Sequence, residues 1–514
     1  MASDDLHDGT VTEPPQGSRS ARAHSARKVA AALATLLAIA LIVFVTNVGG
    51  LRSRVTGGRI ERIGSIAILP LDNLSRDPEQ EYFADGMTEA LIAELAQVRE
   101  LRVISRASVM AYKTTEKPLA QIARELGVDA VVEGSIQRIG GRVRVTTEIV
   151  NAATGRRQGA KIHERDLKDA LSLQSEVAHA LVADGGVPVS IDERGRLART
   201  RTLDPEAIEA YLSGRFYLHR GTEAEIGTAI DLFERVLSRD ASYAPAWAAL
   251  AESYISLSRA DGPLSSVMPQ AKLAAERAIA LDDGLAEAHG SLGRVRLQWE
   301  WDWIGAEEAL KRALDLRPGA SDARAAYSVL LTATGRPDEA VVQIWLAQQQ
   351  DPLSLPVNLS AGWINFQARR FDQAIVDFGT AIAIEPGSGL AHAGLAASLA
   401  QRSRFAEALR EAEKAVDANQ GPMVLATVGG VYAADGQASM ARRLQALAVK
   451  QVACPLEIAA IHVALNERNE AFRWLDRGFR ERSACMSFVR TDARLDPLRA
   501  DRRYADLVRR MNLR

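Results

Sequence analysis

Three prolines, Pro318, Pro352 and Pro386, stand 34 residues apart, and two alanine series keep the same step: Ala306/Ala340/Ala374/Ala408 and Ala313/Ala347/Ala381/Ala415. A 34-residue period of small residues and prolines is the mark of a solenoid of helical hairpins, in which no unit buries its apolar face alone and neighbours must stack. Such arrays present extended surfaces rather than catalytic pockets. With the alanines at positions 20 and 27 of a unit and the proline at 32, position 8 holds Ser328, Gly362, Ala396 and Gly430. Small side chains there let the two helices of a unit cross closely. Proline, lacking an N–H and clashing with the preceding turn, ends the second helix. Ala271 and Ala278 lie 35 residues before Ala306 and Ala313, which implies one extra residue near Trp301. Ala229 and Phe233 mark an earlier unit, Ala441 and Ala471 two later ones. The expected array is about eight hairpins over residues 205–482, followed by a capping segment, 483–514, with a terminal helix.

Ahead of the repeats, residues 65–182 read as a small α/β domain. Ile66–Leu71 is a continuous apolar run typical of a buried strand. Met87, Leu91, Ile92 and Leu95 recur at helical spacing, with Asp85 as the expected cap. A second strand is expected at Leu101–Ile104, and a helix over Leu119–Leu126, stopped by Gly127. Gly140-Gly141 separates two alternating runs and predicts a tight hairpin. A last strand (158–164) and a long helix (167–181) close the domain, and residues 183–204 form a charged connector.

The first 28 residues, rich in Ser, Ala, Gly, Pro and Arg, read as a disordered tail. Residues 29–48 carry only Thr35, Thr46 and Asn47 as polar groups, and a run of that length crosses a hydrocarbon core of about 30 Å. A cleaved signal peptide is the rival reading, but the run is long and ends in TNVGG without a small-residue cleavage site. The expectation is an uncleaved transmembrane helix followed by a linker, 49–64. Arg19, Arg22, Arg27 and Lys28 precede it and Arg52, Arg54, Arg59 and Arg62 follow, so charge does not set its orientation.

Trp247, Leu250 and Tyr254 in one unit, and Leu292-Gly293 in another, resemble the tetratricopeptide repeat family. SIAILPLDNLSRDPEQEYFADGMTEALIAELA and LGVDAVVEGSIQRIGGRVRVTTEIVNAATG resemble the TolB-like amino-terminal domain, and LDPLRADRRYADLVRRM resembles the usual finish of bacterial signalling proteins that join the two. Many members carry a winged-helix, kinase or cyclase effector before the span; here only 28 residues stand there, too few for one. The resemblance implies a single-pass protein of the bacterial inner membrane with its folded part in the periplasm.

No phosphate-binding loop or dinucleotide fingerprint occurs. The eight histidines are scattered, with His289 and His392 at a packing position of their units, so no metal or cofactor is expected. Asp77, Glu79, Glu81 and Asp85 read as a solvated loop rather than a metal site, and Trp299, Trp301 and Trp303 as filling between helices rather than a ligand cage. A net charge of −2 gives no case for nucleic acid, and the basic stretch before the span suits lipid. Cys454 precedes the first helix of a unit and Cys485 follows the second, so antiparallel packing brings the two ends together; two buried thiols are the first reading, and a disulfide, if the compartment is oxidising, is the alternative.

By the family resemblance the inner face of the first helices binds partners. Here it carries Arg294, Gln298, Trp363, Phe366, Gln367 and Gln401, a mixed aromatic and polar lining suited to an extended peptide or a helix; the rival reading is that Trp363 and Phe366 pack against neighbouring units. The expected function is a membrane-tethered scaffold of the bacterial envelope that binds protein partners. The alternative is a regulatory component whose output lies on another protein. No constellation of nucleophile, base and oxyanion donors points to an enzyme.

Overall fold

The computed structural model describes residues 63–75, 77, 80–190, 193, 195, 203–258, 264–418 and 421–513. The tail, the apolar segment 29–48 and most of the linker lie outside them. Among the described residues no helix is long and apolar enough to cross a membrane.

The first part is a sheet in the order β3-β1-β4-β5-β6, with β2 beside β4. The strands are β1 (Ser65–Ile68), β2 (Asp72–Asn73), β3 (Arg102–Val103), β4 (Ala130–Ile139), β5 (Arg142–Asn151) and β6 (Arg157–Asp166). β1 runs parallel to β3 and β4, whereas β4, β5 and β6 are antiparallel. Gly140 turns the β4–β5 hairpin at φ 58°, where a side chain would be strained. Val143, Val145, Thr147 and Ile149 of β5 face inward, while Arg142 and Arg144 are exposed. Among the described residues four α-helices complete the layer: α1 (Glu81–Leu95), α2 (Arg106–Met110), α3 (Leu119–Leu126) and α4 (Ala170–Asp184). α1 begins four residues before Asp85, so that residue is not its cap. Asp85 is buried inside the helix, 2.6 Å from the Lys113 ammonium, which also pairs with Glu81 at 2.8 Å. The loop carboxylates read as solvated are thus partly neutralised within the fold.

Among the described residues eight helical hairpins follow, with the step that the tetratricopeptide resemblance implies. Their helices are Pro205–Arg220 and Glu223–Arg239 (first), Ala244–Leu257 and Leu264–Leu281 (second), Ala286–Val295 and Trp303–Leu316 (third), and Ser321–Ala333 and Pro337–Gln350 (fourth). The others are Leu355–Gln367 and Phe371–Ile384 (fifth), Gly389–Gln401 and Phe405–Ala418 (sixth), Pro422–Ala434 and Ala438–Lys450 (seventh), and Pro455–Ala464 and Arg468–Arg480 (eighth). All eight alanines of the two strict series are 0% exposed, because they sit where helices cross. Position 8 works the same way: a Cβ on Gly362 would lie 2.6 Å from the Phe378 ring, and one on Gly394 of the next hairpin would meet the same ring. In the seventh hairpin the crossing residue is Gly429, not Gly430. A Cβ there would lie 3.1 Å from Ile461, whereas Gly430 has nothing within 4 Å. The array has lost one residue, since Ala408 and Ala441 are 33 apart.

The extra residue near Trp301 appears as a π turn, Arg296–Glu300, after which Trp301 takes φ 54°. The proline beat has a second use: the carbonyls of Pro318, Pro352 and Pro386 accept hydrogen bonds from Arg324, Asn358 and His392, at 2.7, 3.0 and 3.1 Å. His289 and Trp247 make the equivalent bonds, to Asp283 and Ala241. In hairpins two to six, one position of the first helix therefore ties its unit to the end of the preceding one.

Candidate functional site

The inner face of the first helices is where the family resemblance implies a groove, and the structure lays the chain's own C-terminal segment on it at hairpins three, four, five and eight. Residues 483–513 run back along that face as two short 3-10 turns, Ala484–Phe488 and Ala493–Leu498, and a helix, Arg502–Arg510. Arg490 donates to the Thr334 carbonyl at 3.0 Å, Thr491 donates to Gln367 Oε1 at 3.1 Å, and Arg369 holds Asp496 through two 2.7 Å bonds. Trp303 Nε1 donates to the Met511 carbonyl at 2.8 Å, across 208 residues.

At the centre stands Arg494. Its guanidinium lies 5.9 and 5.6 Å from the ring centres of Trp363 and Phe366, and 2.6 to 2.7 Å from the carboxylates of Glu457 and Asp492. Burial works against its charge, but Asp492 and Glu457 hold its pKa well above the ordinary arginine range.

The expected binding residues therefore part company. Trp363, Phe366 and Gln367 are brought together, but as the bed of an internal segment; Phe366 is 0% and Gln367 5% exposed. Arg294 is buried within the third hairpin, Gln298 is half-buried in the π turn, and Gln401 alone is exposed, at the end of its helix. The family resemblance implies which face points inward but carries no record of what lies on it. Cys454 and Cys485 are bonded, with Cα atoms 6.3 Å apart, so the bridge pins the start of the segment to the eighth hairpin. Trp301 and Trp303 are buried in the same contact, Trp301 against Phe479 with ring centres 5.6 Å apart.

A second site lies where the α/β domain meets the repeats. α1 packs on the first repeat helix through Gly86, where a Cβ would approach Leu212 to 3.0 Å. Arg215 Nε donates to Glu89 at 2.8 Å, and the same carboxylate takes His219 at 2.7 Å. Burial raises the Glu89 pKa, but Arg215 and His219 outweigh it and hold the carboxyl far below the usual range. Farther along, Arg102 donates to the Gln349 carbonyl at 2.7 Å, Arg99 to the Asp315 carbonyl at 3.2 Å, and the Ser105 N–H to the Gln350 carbonyl at 3.3 Å. The domain thus rests on the turns between hairpins three, four and five.

Between α1 and hairpins one to three the contact leaves a cleft of about 260 Å³. Glu94, Glu287, Arg317, Gln174 and Tyr211 reach it, with Ala93, Ala248 and Leu285 among its apolar walls. Arg317 pairs with Glu287 at 2.5 Å. Burial, with Glu287 beside it, pushes the Glu94 carboxyl up to about 7. None of these residues is singled out by the sequence, because each stands alone in its helix and the cleft forms only when the two parts dock.

No protein-family profile matches the chain. A protein of Rhizobium meliloti (strain 1021) named Putative adenylate cyclase 3 is 34% identical over 237 residues, 46% of this chain and 40% of that protein. The chain therefore spans two fifths of the length of this curated relative. Among solved structures it is similar to Pseudomonas aeruginosa PilF (19% identity, TM-score 0.30, 44% of this chain and 96% of that one). It is also similar to YrrB, described as a TPR protein with an unusual peptide-binding site (23% identity, TM-score 0.25, 35% and 89%). A monomeric mutant of IFIT1 with Gppp-AAAA is a third (17% identity, TM-score 0.43, 61% and 86%). At these scores the repeat architecture rests on the chain's own hairpins.

Proposed function

We propose that the chain is a membrane-tethered scaffold of the bacterial envelope, held by segment 29–48, that binds protein partners through its repeat array. The observation that carries this reading is an exposed apolar patch on the second helices of the fourth and fifth hairpins. Val342 and Val376 hold the same place in successive units and are 53% and 58% exposed, with Trp345, one turn beyond Val342, 54% exposed. Large exposed side chains in register favour protein contact, and with the inner face occupied this patch replaces the groove as the binding surface. In-cell crosslinking of wild type and a Trp345→Glu, Val376→Glu variant tests it: the variant loses crosslinked partners, and an unchanged set would sink the assignment. A reporter fused after Arg514 that is active only outside the cytoplasm tests the periplasmic placement, which activity of a cytoplasmic reporter would overturn.

The regulatory alternative is favoured by one observation, the similarity to a relative whose name is that of a cyclase. On this reading the chain supplies the non-catalytic part of a signalling system and the output lies on another protein. Unchanged cyclic-nucleotide and transcript levels in a deletion strain would count against it.

A further inference from the structure

The cleft between α1 and the first three hairpins is lined by residues with polar atoms that have no hydrogen-bond partner among the described residues. Gln174, only 5% exposed, has an Nε2 without a hydrogen-bond partner among the described residues, and so does the buried Nε of Arg317. These are two N–H donors without acceptors, a costly state in a native interior. Glu94, on the same cleft, is hydrogen-bonded among the described residues by the Gln97 amide, at 3.2 Å, and sits beside Glu287.

We propose that this cleft binds a small aminocarboxylate zwitterion, of the class of free amino acids. The ammonium lies against Glu94 and Glu287, and the carboxylate accepts from Arg317 Nε and Gln174 Nε2 as those two side chains turn from their enclosed positions toward the cleft. The side chain rests on Ala93, Ala248 and Leu285. Singly charged ligands fit less well. Four carboxyl groups line the cleft (Glu89, Glu94, Asp282 and Glu287) against two guanidinium groups (Arg215 and Arg317), which disfavours a plain anion. A plain cation leaves both donors unpaired. A space of about 260 Å³ suits a molecule of that size and excludes a folded segment. The site touches both the α/β domain and the repeats, so a ligand there stabilises their docked arrangement. It stands apart from the proposed outer-face partner binding, and either assignment can fail without the other.

The test is calorimetric titration of the full chain in detergent with free L-amino acids one at a time, followed by the carboxamide and the N-acetyl form of any that binds. At least one amino acid binds at one per chain, while both derivatives bind at least tenfold more weakly. Glu94→Gln, nearly isosteric, and Gln174→Leu each weaken binding tenfold or more at an unchanged circular dichroism spectrum. Absence of binding by every amino acid at millimolar concentration, equal binding of the derivatives, or unaltered affinity in a folded Glu94→Gln variant would each overturn the proposal.

Discussion

Nη1 and Nη2 of Arg494 lie 2.6 Å from the two carboxylate oxygens of Glu457, 37 residues away, and join the C-terminal segment to the eighth hairpin. Both partners and Asp492 are almost wholly enclosed, with side chains 11, 7 and 0% exposed. Removing one partner of such a buried group leaves uncompensated charge and costs roughly 3–5 kcal/mol. Arg494→Leu is expected to lower the denaturant midpoint accordingly and to admit protease within residues 483–513. A variant that resists protease like wild type would show that the apolar contacts alone hold the segment.

Phe378 lies between Gly362 and Gly394 of successive first helices. Gly362→Ala forces a methyl into the ring at 2.6 Å, an overpacking of roughly 1–3 kcal/mol. A smaller ring-site residue makes room, so the double variant Gly362→Ala, Phe378→Leu is expected to lose less than the sum of the singles. Strict additivity in a double-mutant cycle of chemical unfolding would contradict this packing.

Glu94 sets a pH dependence. Its carboxyl titrates near 7 in the folded chain and at 4.5 when unperturbed, chiefly because it is buried. Between those values the folded state holds a proton that the unfolded state has released. Stability from this group is therefore complete below about pH 4.5 and falls as pH rises through 7, by about 3 kcal/mol in all. Glu94→Gln removes that dependence, so its stability relative to wild type rises between pH 5 and pH 8 in urea melts. A constant difference would place the Glu94 carboxyl in the ordinary range.

The bridge between Cys454 and Cys485 closes a 31-residue separation, for which loop entropy gives about 3–4 kcal/mol. Cys454→Ser and Cys485→Ser, alone or together, are expected to lower the melting temperature equally, by the amount wild type loses on reduction. Insensitivity of wild type to reductant would remove the bridge from the folded protein's stability.

The repeats are legible because their signal is redundant: a step of 34 repeated through Ala306, Ala340, Ala374 and Ala408 survives any single loss. The slips at Trp301 and between Ala408 and Ala441 are also visible as miscounts, though assigning Gly429 rather than Gly430 needs coordinates. Asp85 is misread because a polar residue before an apolar period resembles a cap, and the Lys113 that neutralises it is 28 residues away. The occupied inner face is hidden for the same reason. Thr491, Arg494 and Asp496 carry no period and meet Gln367, Trp363 and Arg369 only through the closure of the array.

A solenoid whose units touch only their neighbours melts like a zipper, from its ends and in portions. The Trp303–Met511 bond and the Arg369–Asp496 pair break that rule, because each links hairpins far apart in sequence to one terminal strap. The third to eighth hairpins are thereby made interdependent. The chain should unfold there as one cooperative block, with hydrogen exchange that is uniform across those hairpins rather than graded toward the C-terminus.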